Sequence, residues 1–96
     1  MMQTQESVFR KLRALKPNYP NLKRLRVFGS VVKGTATKES DVDVLVDFRE
    51  TPSLFDLGGM VADFEESLGC RVDIVMADSL IPELRDIILN EAVDVG

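Results

Sequence analysis

The chain has 96 residues, 45% of them hydrophobic and 29% charged, which suits one domain spanning residues 1–96 and excludes intrinsic disorder. A formal net charge of −4 argues against direct nucleic-acid binding, and the absence of histidine excludes any His triad, His base or His metal ligand. A single cysteine (Cys70), no apolar run approaching ~18 residues and no signal peptide at the N-terminus point to a cytoplasmic chain without a membrane partner.

In chain order, Val8, Leu12 and Leu15 recur at spacings of four and three between Gln5 and Leu15, predicting an amphipathic helix. Pro17 and Pro20 end it, because proline cannot continue the hydrogen-bond ladder. Residues 25–28 predict a short strand stopping at Gly29, and Ser30 reads as the cap of one helical turn reaching Gly34. Residues 35–40 are polar and loop-like. Residues 41–48 form the clearest strand, with Val42, Val44, Val46 and Phe48 alternating with Asp41, Asp43, Leu45 and Asp47. A second helix opens at Pro52-Ser53, with Asp56 as a capping-box-like acid, and Gly69 stands just past its end. Its expected buried stripe is Leu54, Leu57, Val61, Phe64 and Leu68. Gly58 and Gly59 each cost about 1 kcal/mol inside a helix, which suggests close packing or a kink there. Residues 71–76 predict a third strand. A last helix starts near Pro82 and is expected to bury Leu84, Ile87, Ile88 and Ala92. Such alternation implies an α/β fold, a sheet with helices packed on it.

Asp41 and Asp43, two apart on one strand, point to the same face about 6.6 Å apart. Carboxylates so placed repel each other, and burying them unpaired costs several kcal/mol. A cation between them reverses the sign, and hard oxygen ligands suit Mg²⁺, which takes one or two carboxylates plus substrate phosphates. A bare D-x-D is more simply a loop end followed by a solvent-facing edge acid, and Asp47 reads as a strand-end acid.

The segment upstream shifts that balance. Phe28-Gly29-Ser30 is a strand, then a glycine that lets backbone approach a ligand, then a hydroxyl at a helix N-terminus whose free N–H groups attract phosphate. Alone it is an ordinary capped turn. Lys33 adds a cation nearby and Gly34 a second flexible position, and such a cradle joined by a short loop to a carboxylate pair is a much rarer coincidence. Asp73, a lone charge inside Val72-Asp73-Ile74-Val75, asks for a partner. Either it faces the pair from a neighbouring strand, or it pairs with Arg71 or a nearby arginine. Every charged residue from Arg10 to Lys38 is basic and acids dominate from Glu39. That layout suits phosphates beside metal-holding carboxylates, although on charge alone two solvated helix faces are the simpler account.

Gly29-Ser30, ten residues, then Asp41-Val42-Asp43 resembles the G-S-x10-D-x-D signature of the DNA polymerase β-like nucleotidyltransferase superfamily. Residues 28–36 and 40–46, Ser53-Leu54-Phe55-Asp56-Leu57, Val72-Asp73-Ile74-Val75 and Leu84-Arg85-Asp86-Ile87-Ile88 are similar to its minimal nucleotidyltransferase (MNT) branch. The resemblance covers nearly all of the chain from Leu25. It implies a small mixed β-sheet of about three strands flanked by helices. It also implies that Asp41 and Asp43 ligate two Mg²⁺ ions, that Asp73 completes the site, and that Gly29 and Ser30 contact the triphosphate of ATP. Lys33 stands where many relatives carry arginine and would hold the β- and γ-phosphates; Val32 replaces a usual alanine.

The implied chemistry is nucleotidyl transfer, in which an acceptor hydroxyl attacks the α-phosphate, pyrophosphate leaves and Asp73 is a candidate to take the proton. Relatives that modify antibiotics, tRNA or DNA carry a further acceptor-binding domain; with none before Gly96, the acceptor is expected on a partner. The resemblance implies a HEPN-type toxin as that partner, with AMP transferred to a tyrosine and the chain acting as antitoxin. Two other readings stay open: a non-catalytic module that neutralises its partner by covering it, and transfer to a small molecule at a homodimer interface.

Overall fold

The Thr4 hydroxyl accepts a hydrogen bond from the Ser7 amide at 3.0 Å and so starts the first helix. The computed structural model describes residues 4–37 and 40–96; residues 1–3 and, in the expected loop, Lys38 and Glu39 lie outside it. Helix α1 (Gln5–Leu15) buries Val8 and Leu12, and a 3-10 turn at Lys16–Asn18 leads into strand β1 (Leu22–Phe28). A one-turn helix α2 (Ser30–Lys33), strand β2 (Val42–Phe48), helix α3 (Leu54–Leu68) and strand β3 (Val72–Met76) follow. After a 3-10 turn at Ala77–Ser79 come helix α4 (Pro82–Glu91) and a two-residue strand β4 (Val93–Asp94).

The sheet therefore has four strands in the order β3-β2-β1-β4, one more than the sequence suggested. It is mixed: β1 runs antiparallel to β2 and β4, and β2 runs parallel to β3. Strand β1 begins three residues earlier than expected. Its register against β2 shifts between Leu22 and Arg24, so buried Leu22 and Leu25 fall three apart and the alternation that marks a strand is broken. Strand β2 lies between β3 and β1, and Val44, Leu45 and Val46 are all fully buried.

The core joins one sheet face to α1 and α3 through Val8, Leu12, Val27, Val44, Met60 and Phe64. The Tyr19 ring meets Phe64 edge-on, with centroids 5.9 Å apart. Its hydroxyl donates to the Asp63 carboxylate, and burial followed by that acid pushes the phenol up to about 12. Ser53 caps α3 by accepting from the Asp56 amide at 3.0 Å, as its sequence indicates.

Two expectations about helices fail. The buried stripe of α3 is Met60, Phe64 and Leu68; Leu57 and Val61 are half-buried and Leu54 is 87% exposed. Close packing does not explain Gly58 and Gly59, since a Cβ on either would meet nothing within 4 Å. Helix α4 buries no residue fully: Ile88 and Ala92 are half-buried, while Leu84 is 46% and Ile87 61% exposed. The core position is filled instead by Val95, 1% exposed, whose amide donates to the Leu25 carbonyl at 3.1 Å. The Arg13 guanidinium donates to the Val95 carbonyl at 2.7 Å, tying the chain end to α1. No helix among the described residues is long and apolar enough to cross a membrane.

Phe64→Ala is expected to cost about 3–5 kcal/mol in urea unfolding through the cavity it leaves. Phe55→Ala, at an 89% exposed position, should lie within about 0.5 kcal/mol of the parent.

Candidate active site

Strand β1 ends at Phe28, which sits directly opposite Asp43 on β2. The chain then turns at Gly29 with φ 78° and ψ −147°, a conformation open essentially to glycine alone. The turn presses on Asp43: a Cβ on Gly29 would overlap the carboxylate oxygen and stand 3.2 Å from its Cγ. Gly29 is the N-cap of α2, and Ser30 is the first helical residue with no side-chain capping bond, so the expected serine cap is corrected by one position. The Gly29 carbonyl accepts from the Lys33 amide at 3.1 Å, and the Ser30 carbonyl from the Thr35 amide at 2.9 Å.

The parallel pairing of β2 with β3 places Asp73 opposite Asp43. Asp41 lies just before β2 and is exposed, as is Asp73, whereas Asp43 is half-buried. Among the described residues, none of the three accepts a hydrogen bond or forms an ion pair, so Asp73 does not pair with Arg71. Burial raises the Asp43 carboxyl above its ordinary range, and the charges of Asp73, Asp41 and Glu91 raise it further. Asp47 is separate from this group and pairs with Arg26 at 2.9 Å. Among the described residues, the aspartates thus form an acceptor-only group with no ion-paired cation, and no three metal-ligating side chains close into a ready cage.

Glu91, which no sequence motif marks, is the residue added by the structure. Its carboxylate accepts from the Gly29 amide at 2.7 Å and stands 3.7 Å from the Lys33 ammonium. It arrives there because β4 returns the chain end to β1, with Val93 opposite Val27. The only available signal was a lone acid closing an amphipathic helix, which carries no spacing to any other site residue.

A turn that offers backbone N–H groups beside paired strand carboxylates is the arrangement of a nucleotidyl-transfer site. The model of the nucleotidyltransferase domain family matches residues 9–95, and the chain belongs to that family and is a nucleotidyltransferase. It is similar to the protein adenylyltransferase MntA of Thermococcus cleftensis, 45% identical over 72 residues, 75% of this chain and 73% of that protein. A solved structure provisionally assigned as a minimal nucleotidyltransferase has a TM-score of 0.78 at 37% identity and covers 95% of each chain. The fold also matches a Shewanella oneidensis complex of a tri-AMPylated HEPN toxin with an MNT antitoxin, with a TM-score of 0.74 at 20% identity, over 97% of this chain and 72% of that one.

Gly29→Ala should destabilise the fold by about 1–3 kcal/mol from backbone strain alone, with the Asp43 overlap in addition, measured by chemical denaturation. Asp43 gives a pH-dependent prediction. Because its folded-state pKa is raised, the folded protein holds that proton more tightly, and the penalty appears as pH rises above the ordinary aspartate value. In EDTA near pH 7, Asp43→Asn should therefore melt above the parent, and the gap should close as the pH is lowered through the carboxylate range.

Proposed function

We propose that this chain, as one domain over residues 1–96 in the cytoplasm, transfers AMP from ATP to a tyrosine hydroxyl of a HEPN-type toxin and so acts as its antitoxin. The observation that carries the reading is the contact of the Gly29 turn with Asp43, with Asp73 in register beside it. One nucleotide can then lay its phosphates on the turn and its α-phosphate near the carboxylates. Support for the protein acceptor comes from the similarity to MntA and from the AMPylated toxin held by an MNT antitoxin in the Shewanella complex.

The donor set fits magnesium. Asp41, Asp43 and Asp73 offer hard oxygens, none of them is ion-paired among the described residues, and burial together with the charges of Asp73 and Asp41 raises the proton affinity of Asp43. An incomplete cage is what Mg²⁺ accepts, since it usually takes one or two carboxylates and completes its shell with phosphate and water. Asp41 and Asp43 would hold it, with Asp73 closing the site; when bound, it supplies the positive charge that the triphosphate and the attacking oxygen require.

This chain's own groups perform the remaining work. The Gly29 and Ser30 amides and the Ser30 hydroxyl bind phosphate oxygens at the start of α2, and Lys33, on the last residue of that turn, neutralises the β- and γ-phosphates. Asp73, exposed on its strand, can take the proton of the incoming hydroxyl, for which no histidine exists. The exposed Ile81, Leu84 and Ile87 on and beside α4 give the toxin an apolar surface to cover.

Incubation with the cognate toxin, ATP and Mg²⁺ should add AMP to a toxin tyrosine, detected by intact mass and peptide mapping, and should silence the toxin. Asp41→Ala with Asp43→Ala should abolish the modification; neutralisation that persists in this double variant would mark a non-catalytic binder instead. Leu84→Asp with Ile87→Asp should weaken co-purification of the toxin by at least about tenfold, in line with the loss of apolar anchors.

A further inference from the structure

Glu91 occupies the position that a nucleotide phosphate needs. Its Oε1 takes the Gly29 amide at 2.7 Å and lies 3.7 Å from the Lys33 ammonium, so one carboxylate engages both the backbone donor and the cation assigned to the triphosphate. A carboxylate oxygen and a phosphate oxygen are equivalent acceptors for such donors. We propose that Glu91 is a displaceable plug: in the nucleotide-free protein its carboxylate stands in for a phosphate oxygen on the Gly29 turn, and nucleotide binds only when that side chain rotates away. The inference rests on the reading that this turn takes the triphosphate.

The surroundings favour an exchangeable contact over a structural one. The Glu91 side chain is 21% exposed, so part of it already meets solvent. Among the described residues, no cation pairs with the aspartate group facing it, and Glu91 adds to the repulsion at Asp43. Among the described residues, the Gly29 amide and Lys33 hold the carboxylate there, and these are the groups a triphosphate would use. Helix α4 is anchored beyond Glu91 by Val93 pairing with Val27 and by buried Val95. The side chain can therefore leave while the backbone stays in place. Because donors and plug separate in one rotation, the apparent nucleotide affinity is the intrinsic affinity reduced by the fraction of molecules with the turn open.

The test measures binding of α,β-methylene-ATP with Mg²⁺ by calorimetry to the parent, Glu91→Ala, Glu91→Gln and Asp86→Asn, the last removing an exposed charge elsewhere on α4. Glu91→Ala should tighten binding roughly three- to tenfold; Glu91→Gln should fall between it and the parent, and Asp86→Asn should change it less than about twofold. In parallel, without nucleotide, the Gly29 amide resonance should move upfield in Glu91→Ala as its charged acceptor is lost. Equal or weaker binding by Glu91→Ala, or an unmoved Gly29 resonance, overturns the plug. Nucleotide that binds no variant, with the Gly29 resonance still shifting, overturns the reading of the turn as a triphosphate site and the plug with it.

Discussion

The close approach of the Gly29 backbone to the Asp43 carboxylate is the constraint around which the site is organised. It requires a residue without a Cβ in a backbone region that other residues avoid, and it sets the end of β1 against the start of β2. Strand pairing then extends the arrangement sideways, with Phe28 opposite Asp43 and Asp43 opposite Asp73. Three adjacent strands thus bring a turn of backbone donors and two carboxylates to one level of the sheet, held by hydrogen-bonded ladders. Precision of this kind belongs to rigid elements more than to loops. Its cost is local: a position that only glycine fills without strain, and an Asp43 carboxyl whose ionisation burial and neighbouring acids disfavour.

Much of this was legible in the sequence because it rests on local chemistry. The alternation of Val42, Val44 and Val46 marked β2, the Ser53 and Asp56 pair marked the start of α3, and glycine followed by serine after an apolar run marked the turn. Asp73 was conspicuous because a charge in a β-branched run needs a reason. The fold class followed from the same signals, although the strand count did not. Strand β4 has two residues and no periodicity of its own, and it exists only because β1 offers an edge to pair with. The early start of β1 was hidden by the shift between Leu22 and Arg24, which puts its leucines out of phase. Glu91 was missed for a related reason: its place depends on β4 carrying the chain back across the sheet.

The helices show a different limit. Sequence periodicity shows that a helix has an apolar side and leaves open what covers it. In α1 the cover is the core shared with α3 and the sheet, and Val8 and Leu12 are buried as expected. In α3 the covered face is rotated toward Met60, and Leu54 and Phe55 face outward. In α4 the apolar residues were recognised correctly, while the assumption that this chain supplies their cover was not borne out. Val95 takes the interior place that α4 was expected to fill.

The position of β3 has a consequence for self-association. It is the outermost strand beside β2, and its sequence, Val72-Asp73-Ile74-Val75-Met76, combines β-branched residues with no proline, the kind of edge onto which a strand of another molecule can add. The opposite edge is protected by its shortness, since β4 is two residues long. On β3 the single charge is Asp73, the second of its five residues, where a second copy stacking in register would bring like charges together. The carboxylate assigned to the nucleotide site is also the gatekeeper of the sheet's exposed edge, so loss of that charge would threaten solubility as well as chemistry.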